Sequence, residues 1–439
     1  MVSKITEQRK KTFKGGNYAQ YVKAHGTEFP AIIIAIDNYA AFAEKTEGKF
    51  DHAIMQLSRE GAGYGMYLFL SAQGFGMNEI PNRIADNLGC VTALSLADKF
   101  KYMDVLRTTS LPILPESNIR GRGLAKVNDR FLEFQAAVCV DAEDDYERLK
   151  KLQELFEDMS KNWSGKPAPK VPVIPEKPTL TIIKEDQDYQ YASKQLHLLP
   201  FAYRLSDASI YSLDLRYTYC YTISGKNNIG KTNTLKMLLS AASQKNGNIV
   251  VYEHGTDELL ADCRSANGIH ITNAKQLFDF LSGIMSDFAA RNKRKKELVA
   301  QGCDENELFA KMQSFKPYFI FINDINGFFN DVYFPGEGVG AMSGFVENII
   351  EKGASHNFYF FAAADSEKSF DVSGTKAYSS FIGYKKGVLL GGCINTQQTF
   401  SFRNMTYSEQ SRPEKRGIGI TPTYEDESVA EKIVIPVGR

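Results

Sequence analysis

Residues 218–239, TYCYTISGKNNIGKTNTLKMLL, decide the fold. Within them GKNNIGKT, residues 225–232, satisfies the pattern G-x-x-x-x-G-K-[ST] in full. Gly225 and Gly230 let the backbone curl until its N–H groups face a phosphate. Lys231 is placed to neutralise the β and γ oxygens, and Thr232 to hold Mg2+ through its hydroxyl. An apolar, β-rich run precedes the loop and a helix-forming run follows it, as this motif requires. The candidate nucleotide-binding residues are therefore Gly225, Lys226, Asn227, Asn228, Ile229, Gly230, Lys231, Thr232 and Asn233, with ATP and Mg2+ as expected cofactors.

A site of this kind needs a second part, a buried strand ending in an acid that reaches the shell of the metal. YFIFIND, residues 318–324, supplies the strand. In one register Asn323 takes the metal-side position and Asp324 the catalytic one. A slip by one residue makes Asp324 the metal-side acid, partnered with Thr232 on Mg2+, and leaves Ile325 in the catalytic slot. Either register lacks one acid, and an amide cannot act as a general base near neutral pH.

The same plan recurs upstream. IIIAIDNYAAF from Ile32 parallels FIFINDINGFF from Phe319, GYGMYLFLSAQ ending at Gln73 parallels HNFYFFAAADS, and GRGLAKV from Gly121 parallels GIGITPT from Gly417. The order is conserved between the two halves. In the upstream copy Asp37 is the strand-end acid, Asn38 stands where a catalytic acid is needed, and Gln73 is a candidate γ-phosphate sensor at the end of its strand. The phosphate loop lies about 90 residues before Phe319, whereas only about 30 residues precede Ile32. The upstream copy is therefore expected to be an N-terminally truncated domain.

Short apolar runs alternating with helical stretches predict mainly parallel sheets flanked by crossover helices, repeated in tandem. The proline-rich segment SGKPAPKVPVIPEKP disfavours helix and marks a linker over 164–178. It separates a first domain over 1–163 from a second over 179–439. Just before it, Leu149, Leu152, Leu155, Phe156 and Met159 share one helical face, which predicts an amphipathic helix closing the first domain.

Composition narrows the function. Lys plus Arg equals Asp plus Glu at 52 each, so the basic footprint of a nucleic-acid binder is missing in bulk. RNKRKKEL, residues 291–298, is the one dense basic run, and without interleaved aromatics it reads as a solvated helix face. The six cysteines show no metal-like spacing, and no apolar run approaches membrane-spanning length.

Taken together, PAIIIAIDNYAAF, YGMYLFLSAQ, GRGLAKVNDRFLEFQAAV, YTISGKNNIGKTNTL and GIGI followed by KIVIPV resemble, in the same order, the FtsK/SpoIIIE-type ATPases. The likeness is to the C-terminal ATPase domains of the membrane-anchored type VII secretion ATPase (EssC type). It implies tandem RecA-like P-loop NTPase domains, the later part of the family's second domain followed by its third. It also implies a site on the cytoplasmic side of the cell membrane, a hexameric assembly with the rest of the ATPase and other secretion-system subunits, and secreted WXG100-class proteins as substrates. The resemblance carries phosphate-loop roles onto Gly225, Gly230, Lys231 and Thr232, and Walker B-like strand-end roles onto Asp37 and Asp324. Asn38 and Asn323 depart from the catalytic pattern, which implies weak or absent hydrolysis. Arg59 and Arg122 are candidate arginine fingers. Two alternatives stand beside this reading: an active DNA translocase, which would need a basic channel, and a docking scaffold in which the loop is a relic.

Overall fold

The computed structural model describes residues 2–76, 79–127, 130–165, 171–365 and 371–438. The chain forms two compact units, Met1–Ala168 and Pro169–Arg439. Residues 166–170, inside the expected linker, lie outside the described residues.

The first unit carries two small sheets. Strands β1 (Ile32–Ile36) and β2 (Met66–Leu70) pair in parallel, Ile32 opposite Met66. Strands β3 (Thr92–Ala93), β4 (Arg122–Val127) and β5 (Arg130–Gln135) form an antiparallel sheet in that order. Alternation in β1 and β2 turns one face toward helical cover and leaves Ile33 at 69% and Phe69 at 60% exposure on the other. The helix Asp145–Asn162 forms where the leucine spacing predicts it, but it does not close the unit. No residue in it is buried, and Leu149, Phe156 and Met159 lie open.

The second unit is built on one ten-stranded sheet. Its strands are β6 (Leu198–Arg204), β7 (Ile210–Asp214), β8 (Cys220–Gly225), β9 (Asn248–Tyr252), β10 (Ile269–Ile271), β11 (Tyr318–Ile322), β12 (Phe358–Asp365), β13 (Gly387–Leu390), β14 (Ile418–Pro422) and β15 (Ala430–Val434). Their spatial order is β10-β9-β11-β12-β8-β13-β14-β15-β6-β7. From β10 to β13 every pairing is parallel, and from β13 to β7 every pairing is antiparallel. The expectation of a mainly parallel sheet thus describes the half that holds the glycine-rich loop. There β8 is buried throughout and β11 and β12 nearly so, because helices cover both faces.

The repeat inferred from sequence has a structural counterpart. β11 pairs with β12 in parallel, Tyr318 opposite Phe358, as Ile32 lies opposite Met66. A single 3-10 turn precedes each second strand, Gly61–Tyr64 and Gly353–His356. The antiparallel set β13-β14-β15 corresponds to β3-β4-β5. In the second unit β8 lies between β12 and β13 and joins the two sets into one sheet. Among the described residues of the first unit no strand takes that place, and its two sheets stay separate.

The chain closes the second unit on itself. Leu180 N–H donates to the Val437 carbonyl and Val437 N–H to that of Pro178, both at 2.9 Å.

Candidate functional site: the glycine-rich loop and the strand ends around it

β8 ends at Gly225, and the helix Lys231–Ala242 starts six residues later. No residue of the helix is exposed. It buries Leu235, Met237, Leu238 and Leu239 in the same core as Tyr221 and Ile223 of β8, each such side chain contributing about 1.5–3 kcal/mol. This anchors the loop at both ends. Gly230 precedes the helix at φ +116°, a conformation that resists a side chain. At Gly225 a Cβ would sit 2.8 Å from both Ile229 Cγ2 and the Leu390 carbonyl oxygen. Ile229 therefore packs between the glycine backbones of Gly225 and Gly391, pinning the loop to the end of β13, while Lys226, Asn227 and Asn228 remain exposed.

Lys231 Nζ reaches back over the loop and donates to the carbonyls of Gly225 at 2.8 Å and Lys226 at 2.7 Å. The side chain of Asn233 is held elsewhere. Its Nδ2 donates to the Pro436 carbonyl and its Oδ1 accepts from Gly438 N–H, each at 2.8 Å, so its side chain anchors the C-terminal segment rather than extending the loop.

The strand ends converge on Thr232. Its hydroxyl lies 2.8 Å from Glu258 Oε2 and 3.2 Å from Asn323 Oδ1. Of the two registers open to sequence, the structure brings Asn323 rather than Asp324 to Thr232. Asp324 instead caps the helix Ile325–Tyr333, its Oδ1 accepting from Asn326 N–H at 3.0 Å. The reason is local: the residue one place beyond the strand faces the loop, and the next must satisfy the orphan N–H groups of a helix. Behind Asn323 stands Glu253, buried, with its Oε1 3.0 Å from Asn323 Nδ2. Its Oε2 is 3.0 Å from His270 Nε2 and accepts from Leu259 N–H at 3.0 Å. Sequence reasoning missed Glu253, Glu258 and His270. The one signal available was an acid directly after an apolar run, VVYE, the pattern used to find Asn323.

Beneath the site Tyr252 donates to Asp331 at 2.8 Å, and burial, reinforced by that carboxylate, pushes its phenol far above the ordinary value. It stays a neutral donor. Burial also raises the Cys263 thiol to about 11, which keeps it protonated and unreactive.

The donors fit a nucleotide with its metal. A helix N-terminus and a lysine face the loop, and Thr232 Oγ1, Asn323 Oδ1 and Glu258 Oε2 form a set of hard oxygens of the kind Mg2+ takes.

In the first unit Asp37 accepts from the Ser71 hydroxyl, and Asn38 caps the helix Tyr39–Lys45 at φ +56°, its Oδ1 3.2 Å from Ala41 N–H. This matches Asn323 and Asp324 position for position. Gln73 departs from expectation. β2 stops at Leu70, so Gln73 lies in an exposed loop, its N–H donating to Glu79. Its counterpart Asp365 ends β12 opposite Gly225, because pairing with β8 extends that strand. Of the candidate fingers, Arg59 is exposed on the helix Asp51–Glu60, and Arg122 lies 3.5 Å from Glu133.

Comparison with known proteins supplies the lineage. The ESX secretion system protein EccC of Geobacillus thermodenitrificans is 22% identical over 374 residues, 83% of this chain and 24% of its own length. The type VII secretion system protein EssC of Staphylococcus aureus is 23% identical over 239 residues, 54% of this chain and 16% of its own. The chain is homologous to the EssC/EccC type VII secretion ATPases. It spans less than a quarter of the length of these curated relatives. No protein-family model matches it. The solved EssC (ATPases 2 and 3) of G. thermodenitrificans aligns with all of the chain and 78% of its own, at 19% identity and a TM-score of 0.70. That of Thermomonospora curvata EccC (ATPases 2 and 3), in complex with a signal sequence peptide, aligns with all of the chain and 75% of its own at 16% identity and 0.54. The EssC/EccC fold of tandem RecA-like ATPase domains is thus the fold of this chain. No described helix is long and apolar enough to cross a membrane.

Proposed function

We propose that the second unit is an ATP-binding module of a type VII protein secretion motor, in which nucleotide occupancy governs the recognition and export of WXG100-class substrates with weak or no hydrolysis. In this reading the first unit is the later part of the family's second ATPase domain, residues 179–439 form the third, and 164–178 link them. The supporting observation is the meeting of an intact Lys231–Thr232 loop with an amide, Asn323, at the strand end.

Bound Mg-ATP would supply the phosphate charge and the cation. Lys231 would then exchange its loop carbonyls for phosphate oxygens. The Thr232 hydroxyl would keep its hydrogen bond to Asn323 Oδ1 or Glu258 and could offer its lone pairs to the metal. Hydrolysis needs a carboxylate free to take a proton from water. Asn38 and Asn323 are amides, Asp324 is occupied as a helix cap, and Glu258 lies against the Thr232 hydroxyl among the oxygens proposed for the metal. Binding energy would therefore do the work, favouring the conformation of the substrate-docking surface that closes on nucleotide. Other secretion-system subunits, the rest of the ATPase and a hexameric assembly on the cytoplasmic side of the membrane complete the proposal. Nucleic acid has no place in it, since the 52 basic and 52 acidic residues leave no net charge for phosphate backbones.

The test is calorimetric titration of Mg-ATP into the chain, wild type beside Lys231→Ala. Binding that vanishes in the variant is expected, and unchanged affinity refutes the loop assignment. Turnover by the purified chain should be negligible; robust turnover by monomer would overturn the binding-only part.

A further inference from the structure

Tyr252 and Ile322 are the paired last residues of β9 and β11, so Glu253 and Asn323 leave the sheet side by side. The N–H of Asn323 donates to the Tyr252 carbonyl at 3.0 Å. Glu253 is fully buried, and a carboxylate so placed is costly unless every lone pair finds a partner. Four groups face it: Asn323 Nδ2, His270 Nε2 and Leu259 N–H at 3.0 Å, and Thr256 Oγ1 at 3.4 Å. This chain keeps a buried charge directly behind the residue that meets Thr232.

The consequence lies in the Asn323 amide, which has a donor end and an acceptor end. A carboxylate only accepts. Glu253, with Glu258 Oε2 at 3.4 Å, therefore compels Nδ2 to its own side and turns Oδ1 to Thr232.

We propose that Glu253 is a positioning residue of the Mg-nucleotide site: it locks the Asn323 amide with its oxygen toward Thr232, and it supplies from β9 the negative charge that an amide at the end of β11 does not carry. This rests on the reading of the loop as an ATP site. With Oδ1 held in place, the Thr232 hydroxyl finds only acceptors on this side, Oδ1 and Glu258 Oε2, and its lone pairs are free for the cation. The acid of the strand end has in effect moved one strand across the sheet. Partners that orient a metal's ligands typically contribute 10–100-fold to its affinity.

The experiment is ATP titration by calorimetry, with Mg2+ and with EDTA, on the full chain carrying Glu253→Gln, Asn323→Ala, or Glu253→Gln with Asn323→Asp. In Glu253→Gln one carboxylate oxygen becomes a donor aimed at donors, which frees the Asn323 amide to turn. The Mg2+ enhancement of affinity should fall about tenfold or more while Mg-free affinity stays within about twofold. Adding Asn323→Asp should restore the enhancement, a rescue that a purely structural role for Glu253 would not give. Asn323→Ala, which leaves Glu253 its other three donors, should lose the same enhancement and stay folded with a somewhat lowered melting temperature. This variant carries the test if Glu253→Gln does not fold. Full Mg2+ enhancement in either single variant overturns the inference alone. No ATP binding by the wild type, with or without Mg2+, overturns both the inference and the ATP-site reading beneath it.

Discussion

Thr232 and Asn323 stand 91 residues apart in sequence and meet through a hydroxyl 3.2 Å from an amide oxygen. One opens the helix after the loop and the other follows β11, so the contact reports the closure of the whole parallel half of the sheet. Thr232→Val preserves the shape and removes the hydroxyl. We expect affinity for Mg-ATP to fall about tenfold, roughly 1.4 kcal/mol, with Thr232→Ser near wild type. Calorimetry on the three proteins decides it; equal affinity for Thr232→Val would remove the hydroxyl from the metal's coordination.

Gly225→Ala should loosen the loop. The new methyl would meet the Leu390 carbonyl and Ile229 at 2.8 Å, and backbone on one side cannot yield as a side-chain tip would. Overpacking of this kind costs about 1–3 kcal/mol. Gly344→Ala, with nothing within 4 Å of its Cβ, is the matched control and should be neutral or mildly stabilising. Urea denaturation midpoints report both.

Arg291 opens the basic run 291–298, yet it is buried. Its guanidinium donates to the carbonyls of His356 at 2.8 Å and Lys316 at 2.7 Å and pairs with Asp287 at 2.9 Å. The rings of Phe315, Tyr318 and Phe358 surround it at 5.0–5.1 Å. Arg291→Ala strips the His356 and Lys316 carbonyls of their guanidinium donor and should destabilise the second unit by about 2–4 kcal/mol. Lys293→Ala in the same run should change stability by less than about 0.5 kcal/mol. Thermal melts of the two variants separate a buried strut from a solvated face.

His356 gives the second unit an acid-sensitive element. Burial, with Lys295, Lys352 and Arg291 nearby, pushes its imidazole down to about 4. Its Nδ1–H donates to the Lys352 carbonyl at 2.6 Å, and its ring stacks on Phe288. The folded protein thus holds it neutral, while the unfolded chain takes up a proton below about 6.5. Its stabilising contribution is complete above pH 6.5 and is lost as pH falls from there to about 4, by up to about 3 kcal/mol. His356→Gln should flatten that part of the curve of denaturation midpoint against pH. An unchanged slope would assign the acid sensitivity to other groups.

Much of this protein was legible locally. The loop at 225–232, the strand before it and the helix after it follow from glycine spacing and apolar runs, because such features depend on neighbours a few residues away. The repeat was equally readable, since β1 with β2 and β11 with β12 keep their apolar patterns and their register. Tertiary structure decided the rest. Where β2 stops and β12 continues depends on whether β8 lies beside it, and that moved Gln73 into a loop while placing Asp365 opposite Gly225. Whether Asn323 or Asp324 faces Thr232 depends on which residue the following helix claims as its cap. Glu253 and Asn323 follow the ends of β9 and β11, His270 lies within β10, and the three meet because β10, β9 and β11 are neighbours in the sheet. Strand order brings distant residues within hydrogen-bond reach, and no local pattern of apolar and polar residues encodes it.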